Sequence, residues 1–143
     1  MIPSAAMSRT MAYARCSDAC GVVVHTTAVP TDTEWQVYLH DMETWLPHGI
    51  GVLVFTDGGG PNGGQRRAMR DMFARVGRYQ SRTAVVASSL LVRGIVNAIN
   101  LFNPHIRSFR PDALDAAIHH MGGSLHRDAL MTTLAELRQR LAQ

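Results

Sequence analysis

The stretch Ile50-Gly51-Val52-Leu53-Val54-Phe55-Thr56-Asp57-Gly58-Gly59-Gly60-Pro61-Asn62-Gly63-Gly64 decides the reading of this chain. Ile50 to Phe55 is an unbroken apolar run between turn signals, as required of a central strand covered on both faces. It ends at Thr56-Asp57 and passes into a glycine-rich loop. Residues 65–79 then read as a helix, with Met69, Met72, Phe73 and Val76 on one face. Arg66, Arg67, Arg70, Arg75 and Arg78 occupy the rest of that helix. Strand, loop, helix is the unit from which the chain is built.

The same unit recurs on both sides. Upstream, Met11–Arg15 reads as a short edge strand and residues 21–27 as a β-branched strand, so the two form a hairpin around Cys16 to Cys20. Thr31-Asp32-Thr33-Glu34 has the spacing of a capping box and starts a helix. Its apolar stripe is Trp35, Tyr38, Leu39, Met42, Trp45 and Leu46, which places both tryptophans on one buried face. Downstream, Thr83–Ala87 reads as a buried strand, and Ser88-Ser89 caps a helix carrying Leu91, Val92, Ile95, Ala98, Ile99 and Phe102. Ile106–Phe109 is a short strand, and Pro111 opens a helix that runs to Met121 and stops at Gly122-Gly123. A last amphipathic helix covers residues 126–141. The alternation predicts an α/β fold: a mixed sheet of four to five strands with helices packed on it, plus an extra C-terminal helix.

Residues 1–10 have no periodicity and are expected to form a loose arm, with the domain over 11–123 and the amphipathic helix within 124–143. In that last helix Leu130, Leu134, Leu137 and Leu141 are spaced four, three and four, the seam of a two-helix contact, so self-association is expected there. A chain of 143 residues has room for one core. No apolar run approaches the roughly 20 residues of a membrane span, and Met1 to Thr10 lacks the apolar centre of a signal peptide. The expected location is therefore the cytoplasm.

Composition narrows the chemistry. All 14 basic residues are arginine. Without lysine there is no Schiff base and no lysine to complete a phosphate-binding loop. Gly59 and Gly64 are followed by Gln65-Arg66 where a Walker loop needs lysine and a hydroxyl. The G-x-G-x-x-G dinucleotide pattern fits the loop no better. A receiver-type phosphoacceptor reading of Asp57 fails for want of the acidic pair and the lysine. Cys16 and Cys20 are too few for a zinc site and read as small thiols, so no metal and no cofactor is expected. The histidines His25, His40, His48, His105, His119, His120 and His126 form no catalytic spacing, and no nucleophile motif is present. Six arginines between Arg66 and Arg82 face one acid, Asp71, with only Tyr79 available for base stacking; a solvated basic face is the first reading, protein contact the next and nucleic acid the last.

Thr83-Ala84-Val85-Val86-Ala87-Ser88-Ser89-Leu90-Leu91-Val92-Arg93-Gly94, then Ile99-Asn100-Leu101-Phe102, Ile106-Arg107-Ser108-Phe109 and Asp112-Ala113-Leu114, together with the order of elements, resemble the STAS domain. That is the fold of bacterial anti-sigma-factor antagonists, and the closest likeness is to STAS/SEC14-like variants. The resemblance covers roughly residues 11–121. It implies a non-enzymatic regulatory or scaffold protein that binds a protein partner in bacterial signalling. The antagonists carry a phosphorylatable Ser or Thr where this chain has the Asp57 to Gly64 loop, which holds none.

The expected partner- or anion-binding residues are Asp57, Gly58, Gly59, Gly60, Asn62, Gly63, Arg66, Arg67 and Arg70, with the loop read as a flexible surface segment; no catalytic residue is expected. The alternative expectation is a small-ligand domain, for a nucleotide or lipid, using the same glycine-rich loop. An enzyme centred on Asp57 and a nearby histidine ranks last.

Overall fold

The computed structural model describes residues 9–77, 81–101 and 103–142. Its five strands are β1 (Met11–Arg15), β2 (Cys20–His25), β3 (Gly51–Thr56), β4 (Thr83–Ala87) and β5 (Ile106–Phe109). Its longer helices are α1 (Asp32–Trp45), α2 (Gly63–Val76), α3 (Leu90–Asn100), α4 (Leu114–His120) and α5 (Arg127–Leu141). Arg78 and Tyr79 of the expected second helix, Phe102 of the third, and residues 1–8 of the expected arm lie outside the described residues.

The strands form one sheet in chain order, β1-β2-β3-β4-β5. β1 runs antiparallel to β2, and the other neighbours pair in parallel. The hairpin is closed by Ser17, whose hydroxyl accepts the Ala19 and Cys20 amides at 3.1 Å each. Consecutive parallel strands linked by crossovers of one hand must carry their helices on one face. That face holds α1, α2 and α3, packed over Val23, Val52, Val54, Val85 and Ile106. The opposite face, Val22, Val24, Leu53, Phe55, Ala84 and Val86, is covered by α4 and α5.

The expected capping box at α1 forms: Thr31 Oγ1 accepts the Glu34 amide at 3.1 Å, and Glu34 Oε1 accepts the Thr31 amide at 3.0 Å. Glu34 also accepts from the amide and hydroxyl of Thr10, tying α1 to the chain just before β1. The six-residue stripe is fully used. Trp35 is 2% exposed and Trp45 9%, with Tyr38, Leu39, Met42 and Leu46 buried between them. Each such side chain contributes about 1.5–3 kcal/mol on leaving water.

Two expectations change. The apolar stripe of α3 does not seat on the sheet along its length: only Val96 is buried there, and Leu91 is 75% exposed. The helix rests on β4 and β5, with open space between its inner face and the sheet. The leucines of α5 also behave differently from a seam waiting for a neighbour. Leu130, Leu134 and Leu137 are 0–3% exposed, packed on β1 and β2 of the same chain. The reason is the sheet itself, whose second face has only the short α4 without them.

Truncation after Gly123 should therefore uncover Val22, Val24 and Leu53. Burying three leucines is worth several kcal/mol, roughly 2–5 each. The truncated chain is expected to lose its cooperative urea transition. A shortened chain that unfolds at an unchanged urea midpoint would show that α5 is dispensable to the core.

Candidate functional site

The carboxyl ends of β2 and β3 bring His25 and Thr56 side by side in register. His25 shares the parity of Val23 and so points to the α1–α3 face. Thr56 organises the loop that follows: its hydroxyl donates to Gly59 O at 2.5 Å and accepts the Gly58 amide at 3.1 Å. Gly58 and Gly60 have φ of 123° and 148°, conformations that side chains rarely adopt. Gly59 lies against the carbonyls of Thr26 and Ala28 with no room for a Cβ, and its amide bonds Thr26 O at 2.9 Å. The segment expected to be a flexible loop is thus pinned from within.

Asn62 then starts α2 with a second capping box, accepting the Gln65 amide at 2.9 Å and donating its own amide to Gln65 Oε1 at 2.9 Å. Gln65 is 5% exposed. Its Nε2 donates to Pro30 O at 2.8 Å and Asp32 Oδ1 at 3.0 Å, and its carbonyl accepts Trp35 Nε1 at 2.8 Å. These bonds lock the starts of α1 and α2 together. Arg66 bends back, with Nη1 donating to Pro61 O at 2.9 Å and its guanidinium against Gly63.

Between these elements and α3 lies an elongated cavity of about 240 Å³. At one end it meets His25, Thr56, Gly58, Gly59, Gly60 and Arg66. At the other it reaches Thr83 and Ile106, the first residues of β4 and β5, and Leu46 beyond α1. Its walls are apolar: Val54 and Val85 from the sheet, Met69 and Phe73 from α2, and Ile95 and Ile99 from α3. A slot of this length along the sheet face matches the open space under α3. A cavity of about 150 Å³ admits a benzene ring, so this one has room for on the order of ten carbon atoms.

Among the described residues that line the slot, His25 and Arg66 carry its basic groups, and the phenol of Tyr38, held neutral by burial, is the other ionisable side chain. The His25 ring is 5% exposed, sits 6.3 Å from the Trp35 ring, and leaves Nδ1 without a hydrogen-bond partner. Burial pulls its pKa down to about 4, against a smaller opposing pull from the Glu34 carboxylate. The imidazole is neutral at pH 7.

Of the residues singled out from the sequence, Gly58, Gly59, Gly60 and Arg66 line the slot. Asn62 serves as a helix cap, and Gly63 forms the first turn of α2. Asp57, Arg67 and Arg70 are exposed and away from it. Asp57 and His25 meet only through backbone, the Asp57 amide donating to His25 O at 3.2 Å. Sequence reasoning missed His25, although a lone histidine at the carboxyl end of the all-apolar Gly21 to Val24 run is an available signal. No group of three metal-binding side chains and no helix long and apolar enough to cross a membrane occurs among the described residues. Comparison of the chain with protein-family models, with curated proteins and with solved structures returns no match.

The depressed His25 pKa makes stability depend on pH. The unfolded chain takes up a proton near pH 6.5 and the folded chain only near pH 4. Stability is complete above pH 6.5 and falls as pH drops towards 4, by on the order of 3 kcal/mol. In His25→Phe this component should vanish, leaving a shallower decline in urea-unfolding free energy over that window. Identical slopes in the two proteins would refute the assignment.

Proposed function

We propose that this chain is a non-enzymatic domain that binds a small, elongated apolar molecule in the slot between the sheet and α1–α3. The slot itself carries the reading. It is long, mostly apolar and roofed by a helix that seats only partly on the sheet, and its basic groups, Arg66 and His25, are gathered at one end. Ligand sites have this makeup: apolar walls with a few polar groups that fix orientation. Among the described residues no carboxylate or thiol lines it, which supports binding over turnover. The order of elements supports a STAS-like organisation, with the glycine-rich loop as the rim of the slot. We place the domain in the cytoplasm, where the thiols of Cys16 and Cys20 suit a reducing compartment.

A second reading, a STAS-like regulatory or scaffold protein binding a protein partner in bacterial signalling, is favoured by one observation. Leu90, Leu91 and Leu101 on and beside α3 are 75–83% exposed, an apolar surface facing outward next to the slot. The two readings join if a ligand under α3 sets how that surface is presented.

The ligand reading is tested with 1-decanol, a probe of fitting length, by methyl NMR of the full chain. Saturable shifts are expected at Val85, Ile95 and Val96. Ile95→Trp should fill the slot and remove them, with circular dichroism unchanged. Unshifted methyls in the unmodified chain would dispose of the reading. For the second, Leu91→Asp should abolish capture of any specific host protein, and capture that survives the change would eliminate α3 as the contact.

A further inference from the structure

Three features meet at one end of the slot. The first is Arg66, whose guanidinium is folded onto the first turn of α2 and hydrogen-bonded to an uncharged group, the Pro61 carbonyl. The second is the start of α2, which carries no acidic residue in its first turn, so the positive end of its backbone dipole is not offset from within the helix. The third is independent of both: His25, at least nine-tenths buried, lines this same end with a ring nitrogen that has no partner. An orphaned buried polar atom in an otherwise satisfied interior is a place where a ligand atom belongs.

Of the nearby acids, Asp32 and Glu34 are engaged with donors of their own, and Asp57 is exposed and does not line the slot. Asp32 accepts from Gln65 Nε2, and Glu34 accepts from Thr10 and Thr31. Neither lines the slot, so the charge that the described residues present to a ligand there is that of one guanidinium. One cation beside a neutral imidazole complements a single negative charge. A dianionic phosphate would leave charge uncompensated. A planar carboxylate also matches a guanidinium in shape, oxygen for N–H. The remaining length of the slot is apolar and calls for a tail.

Resting on the reading that the slot holds a ligand, we propose that this ligand is a single-chain amphiphile ending in a carboxylate. Its head lies at Arg66 and His25 under the Gly58–Pro61 rim, and its tail runs between the sheet and α3 towards Thr83 and Ile106. His25 serves as an uncharged hydrogen-bond donor, because burial keeps it unprotonated at neutral pH. The guanidinium supplies the selectivity between an acid and an alcohol of equal length.

The test compares sodium decanoate with 1-decanol by calorimetry at pH 7.5 on the full chain. Decanoate is expected to bind about tenfold tighter, the difference a charge-assisted hydrogen bond makes in a partly buried site. Arg66→Gln should bring the two affinities together, chiefly by weakening decanoate. His25→Phe should weaken decanoate several-fold, and His25→Gln, which keeps a donor, should restore most of the loss. Equal binding of acid and alcohol, or a preference untouched by Arg66→Gln and His25→Phe, would overturn the carboxylate head and leave the slot reading standing. If neither probe binds, the slot reading falls and the head assignment falls with it.

Discussion

Every residue of β3 is buried, from Gly51 to Thr56, so neither face of the central strand meets water. An apolar strand in that position needs two separate covers, and the rest of the molecule follows from supplying them. On one face the crossovers between parallel strands deliver α1, α2 and α3 in sequence. On the other no crossover is available, and α4 and α5 must come from the chain beyond the last strand. The aromatic face of α1, the burial of the α5 leucines and the close contact of Gly51 with the Met121 carbonyl all answer to this one constraint.

The cover on the first face is uneven along the sheet. α1 is keyed to the sheet by Trp35, Tyr38 and Trp45, with Tyr13 edge-on to two of these rings at 5.3 and 6.0 Å. α3 has no comparable key. It is short, its inner residues are small or β-branched, and its N-terminal leucines face outward. A sheet covered well on one flank and loosely on the other leaves a gap, and the gap is the slot. The polar groups then gather at the carboxyl ends of the parallel strands, where open α/β sheets place their ligands.

Much of this was legible in the residues, and what was not has a physical explanation. β1, β4 and β5 were legible to the residue, with Ser17, Ser88, Pro104 and Pro111 close to their ends. Thr31 and Glu34 announced α1 because a capping box is local and needs no tertiary partner. The Asn62–Gln65 box is equally local, yet the glycines around it drew attention to phosphate chemistry in place of helix capping. The α5 stripe fits an intermolecular seam and an intrachain cover equally well. Only the burden of the bare second sheet face decides between them. The slot was invisible for a deeper reason: a cavity is a failure of packing between elements distant in sequence, and no periodicity records what fails to touch.

The strand order carries a consequence for how the chain acquires this structure. Each strand lies beside its predecessor, so hairpin, crossover and sheet can grow from neighbours in sequence with little loop-closure entropy. The exception is α5, which returns across the whole sheet to lie on β1 and β2. During synthesis the first hairpin is made early and must wait, one side bare, until the most distant helix emerges. That interval is when Val22 and Val24 stand exposed, and the window in which the unfinished chain is most prone to aggregate or to need a chaperone.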